Sequence, residues 1–420
     1  MRAEGHRARP PGAFELPGAD ARLGAGWRAR SLAEVGPLAW ARRRELGVTR
    51  LAELTDLDRL GVPVVAAVRP GAPAGQNTSV QGCGRTREEA GAAALMEAVE
   101  RHAAAAPRER RCAPVAALEA AGERLVSPRE LGVEAPAAPL EWVRGQRLVD
   151  GAPTWVPAAE VLFPYHPPPG LARPVRPSTS GLAAGSGLAE ATFHGLLEVV
   201  ERHVTSRLGQ GVWPARIPPS GLGGEAALLS ARLEGEGVEL LCLELRCHEL
   251  RCHGLRCHES QGSGVPVVKV FALDRGAGQH HLAVSGQGAH LDPAAALLRA
   301  LRELVQSRAV AIQGSREDLE RHASSWADDP QTVEARFREV EALVGRLPPS
   351  TLLEAPAPAP PPTAGEALRL LRDRLGAAAE GAVVTDLSTG PGGFAVAHVC
   401  VPGLWDRFVD PARGRDVRRG

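Results

Sequence analysis

The 420-residue sequence has only one lysine, Lys269, although lysine and arginine together number 49. A nucleotide site of the P-loop type needs a Gly-Lys-Ser/Thr sequence. Lys269 lies in VPVVKVF, which has no such sequence, so a P-loop is excluded. Any ATP that this chain binds must be held by another arrangement of residues.

An excess of charge of either sign is also lacking, because 49 basic residues balance 49 acidic ones. We therefore expect no nucleic-acid partner. No run of about 18 apolar residues occurs, so no membrane span is expected. The N-terminal sequence MRAEGHRARPPGAFELPGAD lacks the apolar core of a secretory signal. These absences predict a cytoplasmic protein whose seven cysteines are reduced.

What the sequence does contain is a pattern that occurs three times, at Ser79–Ala104, Ser178–Arg207 and Ala283–Val310. Each copy opens with small residues and a Gly-rich turn. Each then continues into an Ala/Leu-rich helix that carries carboxylates and an arginine. The helix reads E-x-x-E-R in the first two copies and E-x-x-Q-x-R in the third.

The carboxylates of these helices predict one shared site. Residues three apart lie on one helix face, so Glu97 projects with Glu100, and Glu198 with Glu201. The remaining residues are mostly apolar and predict buried faces, where carboxylates are rare unless they are paired or bind a metal. With Glu303 from the third copy, these oxygen ligands suit Mg²⁺. The arginines that suit phosphate oxygens are Arg101, Arg202 and Arg308.

Taken in order, the three blocks resemble the YcaO superfamily, ATP-dependent enzymes that activate backbone amides in peptides. The family pattern is G-K-G with S-A-x-x-E-x-x-E-R, then G-x-A-x-G with E-A-x-x-x-G-L-x-E-x-x-E-R, then G-x-G with A-L-x-R-A-L-x-E-x-x-Q-x-R. The sequence reproduces nearly all of it, over roughly residues 45–410. The resemblance implies an α/β fold of the mixed α+β type, with internal repeats and strands that alternate with motif helices around an ATP site.

The resemblance also implies roles for individual residues, with ATP and Mg²⁺ as cofactors. The glutamates named above would hold Mg²⁺, with Glu190 as a further candidate, and the three arginines would neutralise phosphates. Backbone N–H groups of the Gly-rich turns would approach the polyphosphate. The residues expected to contact the nucleotide are Ser79, Gly82, Gly84, Ser178, Gly181, Gly185, Glu190, His194, Ser285, Gly286, Gly288 and Gln306.

Two positions depart from the family pattern. Cys83 stands where the family has the lysine of G-K-G, and Ala93 stands where it has the serine before the first glutamate. Both are phosphate-side positions in the resembled pattern. Either Arg85 or Arg87 takes over the positive charge, or the affinity for the nucleotide is weakened.

The activity implied is phosphorylation of a peptide amide oxygen by ATP. A Cys, Ser or Thr side chain, or an external sulfide, attacks the amide carbonyl, and loss of phosphate then leaves an azoline or a thioamide. The alternative is a non-catalytic scaffold or accessory factor for another modification such as ribosomal-protein methylthiolation, which Cys83 and Ala93 would favour. The expected partners are a leader-bearing peptide, a TfuA-like or E1-like protein that delivers it, and a second copy of the chain. The N-terminal region looks most like the TfuA-associated branch.

A five-residue repeat places Cys242, Cys247, Cys252 and Cys257 at regular intervals, with histidines beside three of them. The period matches neither helix nor strand, so we favour an inserted loop over a zinc site, although adventitious zinc or nickel binding stays open.

The composition divides the chain into segments. We predict a helix at 31–46 capped by Ser31 and a second at 51–60. The predicted segments are a disordered N-terminus at 1–25, a helical and strand segment at 26–70, a catalytic core at 71–354 with a Cys/His-rich loop insert at 242–263, a Pro-rich linker at 355–363, and a C-terminal βα unit with a tail at 364–420.

Overall fold

The fold comes from a computed structural model. It describes residues 14–208, 212–218, 222–247, 264–274, 282–314, 330–354, 358–389 and 393–404. The helices of these ranges are α1 (Leu32–Ala41), α2 (Arg87–Ala105), α3 (Val115–Ala120), α4 (Ala158–Val161), α5 (Leu188–Ser206), α6 (Gly224–Gly235), α7 (Pro293–Gln313), α8 (Pro330–Val344) and α9 (Ala364–Leu375).

Strands alternate with these helices along the chain, as the predicted α/β class requires. They are β1 (Arg50–Glu53), β2 (Val64–Val68), β3 (Ser79–Cys83), β4 (Arg111–Ala113), β5 (Leu140–Arg147), β6 (Pro153–Pro157), β7 (Leu182–Gly185), β8 (Val212–Arg216), β9 (Val238–Cys247), β10 (Val267–Asp274), β11 (Leu282–Ala289), β12 (Val383–Asp386) and β13 (Ala395–Cys400).

The strands form three sheets, and each sheet ends in the strand of one repeat. Their orders are β1-β2-β3, β4-β5-β12-β13-β7 with β6 beside β5, and β11-β10-β9-β8. The motif strands β3, β7 and β11 are therefore all edge strands. An edge strand leaves one row of backbone N–H and C=O groups without a strand partner, and those groups need other partners where they are buried.

The three motif helices link the sheets into a closed arrangement. Each helix packs on the strand of its own repeat, α2 on β3, α5 on β7 and α7 on β11. Each also contacts the strand of another repeat: α2 contacts β7, α5 contacts β11, and α7 returns to β3. The mixed α/β fold with internal repeats is thus confirmed, and the three edge strands meet the helices that carry the glutamates.

The N-terminal region differs from the sequence-based expectation. Residues 14–25, within the stretch predicted to be disordered, pack on the core, where Leu16 and Ala19 are buried. The carbonyl oxygen of Pro17 accepts a hydrogen bond from the N–H of Ala189, in the first turn of α5. The Gly- and Pro-rich composition predicted disorder, but an irregular segment can still be ordered. Here its carbonyl group accepts from one of the N–H groups that a helix N-terminus leaves without a partner in the helix.

The helix predicted from a capping residue begins where expected, whereas a second predicted helix is replaced in part by a strand that pairs with its neighbour. Helix α1 begins after Ser31, which forms the predicted cap as a capping box with Glu34. The predicted helix at 51–60 is wrong, because β1 pairs with β2 in register from Arg50–Val68 to Glu53–Val65. No helix of the described residues is long and apolar enough to cross a membrane.

Two predicted segment boundaries cut through continuous structure. Strands β12 and β13 lie between β5 and β7 in one sheet, so the C-terminal strands are interior to the core sheet. Strand β9 continues through Cys242 to Cys247, where it pairs with β8. The Cys/His segment therefore does not begin as a loop at 242, and its residues 248–263 lie outside the described residues.

Candidate functional site

Two glutamates reach from one repeat to the edge strand of the next. The backbone N–H of Ala184 in β7 donates to Glu100 Oε1 at 2.7 Å. The backbone N–H of Ala289 in β11 donates to Glu201 Oε2 at 3.0 Å. The second glutamate of each E-x-x-E pair thus satisfies an edge N–H group across the boundary between repeats.

Two further glutamates bind the backbone at the start of their own repeat. The N–H of Gly181, just before β7, donates to Glu198 Oε2 at 3.2 Å, and the N–H of Gln287 in β11 donates to Glu303 Oε2 at 3.3 Å. With the two cross-repeat bonds, four carboxylates are fixed on backbone N–H groups in or just before the edge strands β7 and β11. Hydrogen bonds of this charge-assisted kind orient a carboxylate firmly.

Two of the three predicted arginines pair with glutamates of their own helices, and one of these glutamates is Glu97, the fifth of the set. Arg101 Nε donates to Glu97 Oε1 at 2.9 Å, and Arg202 Nη2 donates to Glu198 Oε1 at 2.9 Å. Both pairs have the i, i+4 spacing that places side chains together on a helix. The two arginines therefore stand on the same faces as the glutamates.

The pKa shifts of these carboxylates include electrostatic repulsion between glutamates of different repeats. Burial raises the pKa of Glu100 to about 8, and Glu97 and Glu198 add to the rise. Burial raises the pKa of Glu198 to about 7, with Glu201 and Glu97 acting in the same direction. Burial also raises the pKa of Glu303 to about 8, with a contribution from Glu201. Helices from three repeats thus carry a single carboxylate cluster, which we call the glutamate cluster: Glu97, Glu100, Glu198, Glu201 and Glu303.

A second group of polar side chains adjoins the glutamate cluster at β7. The Arg28 guanidinium donates from Nη1 to the carbonyl of Ala184 and to Glu190 Oε1, both at 3.1 Å. Glu190 is buried and also accepts from the N–H of Ser186 at 3.2 Å. Ala184 therefore joins the two groups, since its N–H binds Glu100.

His194 lies beside this group on α5. Its Nδ1 is 3.4 Å from Nη1 of Arg299. Burial first, and then Arg28 and Arg299, hold the pKa of His194 well below its ordinary value, so the imidazole is neutral. Trp27 and Phe193 stack at 5.9 Å between ring centroids, and Phe193 also meets the His194 ring.

A family model matches residues 81–405, more than half of the chain, and is described as "YcaO cyclodehydratase, ATP-ad Mg2+-binding". The chain belongs to the YcaO family. Both the family resemblance and the prediction of ATP and Mg²⁺ as cofactors are thereby confirmed. The matched range includes all five residues of the glutamate cluster.

Individual relatives extend over most of this YcaO protein. An uncharacterized protein of Methanothermobacter thermautotrophicus is 33% identical over 89% of this chain and 94% of its own length. An uncharacterized protein from the tfuA 3′ region of Rhizobium leguminosarum bv. trifolii is 31% identical over 66% of this chain and 65% of its own length.

Two solved structures share the fold. The structure of YcaO from Methanopyrus kandleri bound with AMPPCP and Mg²⁺ matches with a TM-score of 0.69 and 26% identity, over 92% of this chain and 95% of that one. A heterocyclase in complex with substrate and cofactor matches with a TM-score of 0.70 at 21% identity, over 94% of this chain and 54% of that one.

The glutamate cluster fits a hard divalent cation by its chemistry. Its donors are carboxylate oxygens, which Mg²⁺ prefers, and their charged forms are disfavoured by burial and mutual repulsion, which a cation would relieve. Among the described residues, no three His, Cys, Asp or Glu side chains are already placed to ligate one ion. Glu97 and Glu198 instead face Arg101 and Arg202, so ligation requires these two carboxylates to turn from their arginines.

The raised pKa values predict a pH dependence of stability without added cation. A folded-state pKa of about 8 for Glu100 lies above the ordinary glutamate value of about 4.3. The folded state then binds more protons than the unfolded state between these values, so the free energy of unfolding falls as pH rises. We expect the melting temperature in EDTA to fall between pH 6.5 and 8, and added Mg²⁺ to flatten this dependence.

Glu100→Gln provides the matched comparison for that measurement. Glutamine can still accept from the N–H of Ala184 but does not titrate. The variant should lose part of the pH dependence of wild type, and Glu339→Gln, an exposed change on α8, should lose none. Identical pH profiles for wild type and Glu100→Gln would contradict the raised pKa.

Arg308 does not lie where a phosphate-binding role requires. It is 1% exposed, and its Nε and Nη2 bind Asp58 Oδ2 and Asp274 Oδ2, each at 2.7 Å. Arg59 adds an ion pair to Asp274 at 2.8 Å. The structure thus places Arg308 in a buried ion-pair network that ties α7 and β10 to the turn before β2.

The predicted substitutes for the family lysine both form ion pairs with carboxylates outside the glutamate cluster. Arg85 pairs with Glu89, and Arg87 pairs with Asp56, both at exposed positions. Cys83 itself is buried, and burial raises the pKa of its thiol to about 12. Whether Arg85 or Arg87 replaces the charge of the family lysine, or the affinity for the nucleotide is weakened, stays a prediction.

Most of the glycines expected to contact the nucleotide also lie where a helix packs closely on a strand. A β-carbon on Gly286 would lie 2.1 Å from the carbonyl oxygen of Ala300, and one on Gly82 would lie 2.3 Å from the nitrogen of Ala94. The motif helices could not pack on their strands with larger residues there. The same close approach of helix backbone, at 2.3 to 2.7 Å, explains Gly84, Gly185 and Gly288, whereas a β-carbon on Gly181 would lie 2.2 Å from the carbonyl oxygen of Val399 in β13.

The three serines and Gln306 that were expected to contact the nucleotide lie in or near the motif strands and helices. Ser79 Oγ accepts from Gln81 Nε2 at 3.0 Å, and Ser178 Oγ accepts from the N–H of Ser180 at 3.2 Å. Ser285 lies in β11 opposite Phe271 of β10. Gln306 is half-buried one turn after Glu303, on the same side of α7.

Sequence reasoning missed three basic residues of this region. Arg299 lies four residues before Glu303, and that spacing places both on one helix face, so the sequence held a signal for it. Arg28 offered none, because it belongs to an irregular segment. Lys269 was used only to exclude a P-loop. Burial lowers the pKa of Lys269, and Arg202 acts in the same direction, whereas Glu303 and Glu201 oppose the shift. Because these charges act on it, the lysine adjoins the glutamate cluster.

Proposed function

We propose that this YcaO protein uses Mg²⁺ and ATP to phosphorylate the oxygen of a peptide backbone amide. The observation that carries the proposal is the glutamate cluster, in which carboxylates from three repeats are fixed on edge-strand N–H groups. The family description names ATP and Mg²⁺ binding, and a heterocyclase with bound substrate and cofactor shares the fold.

The glutamates and arginines would divide the work at the polyphosphate. Mg²⁺ held by the glutamate cluster would neutralise phosphate oxygens and keep them in place for transfer. Arg101 and Arg202 pair with Glu97 and Glu198, and they would bind phosphate oxygens once those carboxylates turn to the cation. Arg308 has no part in this proposal, because both of its carboxylate partners lie in the ion-pair network.

The adjoining polar group would hold the nucleoside side of ATP. Neutral His194 can donate or accept one hydrogen bond without adding charge, and Arg299 beside it offers further donors. Glu190 is fixed by Arg28 and by backbone N–H groups, so its carboxylate is oriented before any ligand arrives. Preorganised groups of this kind lower the entropic cost of binding.

The peptide reaction needs no nucleophile from this chain. The attacking atom is a Cys, Ser or Thr side chain of the peptide, or an external sulfide, and it adds to the amide carbonyl carbon. The resulting oxyanion attacks the γ-phosphorus, ADP leaves, and the former amide oxygen departs in inorganic phosphate. An azoline forms when the nucleophile belongs to the peptide, and a thioamide forms when it is sulfide.

We infer that a TfuA-like protein assists this reaction. A relative of this chain is encoded in the 3′ region of tfuA, and a separate protein would present the leader of the peptide. A homodimer and a cytoplasmic location remain predictions from the family resemblance and the sequence.

The test follows an oxygen atom. A short peptide encoded beside the gene is synthesised with ¹⁸O in one backbone carbonyl and incubated with the YcaO protein, its TfuA-like partner, Mg²⁺ and ATP. Released phosphate should gain one ¹⁸O, and its release should exceed the peptide-free rate.

Two results would contradict the proposal. Peptide modification without ¹⁸O in phosphate would exclude phosphorylation of the amide oxygen. Phosphate release that never exceeds the rate without peptide, in the presence of the partner, would favour the non-catalytic scaffold that Cys83 and Ala93 suggest.

A further inference from the structure

The only lysine of the chain lies in an interior strand beside the glutamate cluster. Lys269 pairs with Gln287 of β11 on one side and with Leu243 of β9 on the other. Gln287 is the residue whose backbone N–H holds Glu303. Since residues directly opposite in a sheet share a face, the Lys269 side chain lies next to that of Gln287.

The Lys269 ammonium has too few partners for its position. Its Nζ is 3.4 Å from Gln287 Oε1 and 5.4 Å from the centroid of the Phe271 ring. Within the part of the chain that the structure describes, no carboxylate forms an ion pair with it. An ammonium has three N–H donors, and a charge withdrawn from water needs acceptors for them. One long bond to an amide leaves at least one donor for a ligand oxygen.

The charges around Lys269 favour an anion with multiple oxygens. Arg202 is a second cation near it, and Glu201 and Glu303 are near both. A cation held by these carboxylates would add its charge to those of the lysine and the arginine. A phosphate group bound there would meet several positive charges, as phosphoryl sites require.

We propose that the Lys269 ammonium binds the terminal phosphate of ATP. The inference rests on the proposed nucleotide site and adds to it the residue that reads the third phosphate. It also assigns the phosphate-side positive charge to a residue of β10 rather than to Arg85 or Arg87.

A single lysine makes the first test direct. The protein is acetylated with a succinimidyl ester, and the rate at Lys269 is followed by peptide mass mapping, with the α-amino group as internal control. AMPPCP with Mg²⁺ should slow acetylation of Lys269 at least about tenfold, whereas ADP with Mg²⁺ should protect it much less. Equal protection by ADP, or no protection by AMPPCP, would overturn the assignment.

The second test uses binding. Lys269→Met should weaken AMPPCP binding by about tenfold to a hundredfold, as expected for loss of a charged hydrogen bond, and should change ADP binding little. Lys269→Arg should recover most of the loss because it keeps the charge. Equal weakening of ADP and AMPPCP by Lys269→Met would show that the lysine only maintains the fold of the site.

Calorimetry separates this inference from the proposed function. If wild type binds AMPPCP with Mg²⁺ but Lys269→Met binds it equally well, the assignment of Lys269 fails and the nucleotide site stands. If wild type binds no AMPPCP in the presence of Mg²⁺, the proposed function fails, and the assignment fails with it.

Discussion

Replacing Glu201 with glutamine should lower peptide-dependent ATP turnover by at least about a hundredfold, because loss of one metal-binding carboxylate weakens a contribution of several kcal/mol to phosphoryl transfer. Glutamine has nearly the same shape and can still accept from the N–H of Ala289. The melting temperature should therefore change little while phosphate release is lost.

The control for this variant is Glu341→Gln on the exposed surface of α8, which removes the same charge away from the cluster. It should retain wild-type turnover. Wild-type turnover by Glu201→Gln would remove Glu201 from the proposed Mg²⁺ site. Loss of turnover together with a large fall in melting temperature would point instead to a structural role between α5 and β11.

Replacing Arg308 with methionine should destabilise the protein by about 3–5 kcal/mol, since the change leaves Asp58 buried without its cation and Asp274 with Arg59 as its remaining ion-pair partner. Chemical denaturation measures the effect. The matched control is Arg338→Met, whose partner Glu334 is in the same helix and whose own side chain is 73% exposed. A surface pair of that kind contributes about 0–1 kcal/mol.

The same variant tests which role Arg308 has. At a temperature where Arg308→Met remains folded, its affinity for AMPPCP should equal that of wild type, because the guanidinium lies in the ion-pair network rather than at the phosphates. A selective loss of AMPPCP affinity without loss of stability would restore the phosphate-binding role predicted from the sequence.

The glutamates could be predicted because their signal is local. In an E-x-x-E pair the two glutamates share one face of the helix. On an otherwise apolar helix that face is predicted to be buried, where an unpaired carboxylate is unfavourable. Two such helices, with a third that carries Glu303 in the same repeat, indicate a common site. The backbone partners could not be predicted, since the Ala184 N–H that binds Glu100 lies 84 residues away and is specified by the packing of α2 on β7.

Arg308 shows the opposite limit. Arg308 follows the glutamate of its helix by five residues, one more than Arg101 and Arg202, but the repeat as a whole gave it the same role in the sequence. Its partner Asp58 lies 250 residues away, in a segment where the sequence suggested only a short helix. Long-range ion pairs depend on the assembled fold, and no local pattern announces them.

The glycines illustrate a third case, in which the residue was identified and its reason was not. Both a backbone that must approach phosphate and a strand that must approach a helix exclude a β-carbon. Sequence cannot separate these causes. The contact of Gly286 with Ala300 shows that the packed helix by itself requires a glycine there.

The position of the motif strands at sheet boundaries has a consequence for self-association. An uncovered boundary strand is a template on which a second molecule can add its own strand, and natural proteins block such templates with charge. Glu100, Glu198, Glu201 and Glu303 bind N–H groups in or just before β7 and β11. The carboxylates proposed for chemistry therefore also occupy hydrogen-bonding positions that a strand of a second molecule would need, so one set of side chains serves both the site and the sheet boundary.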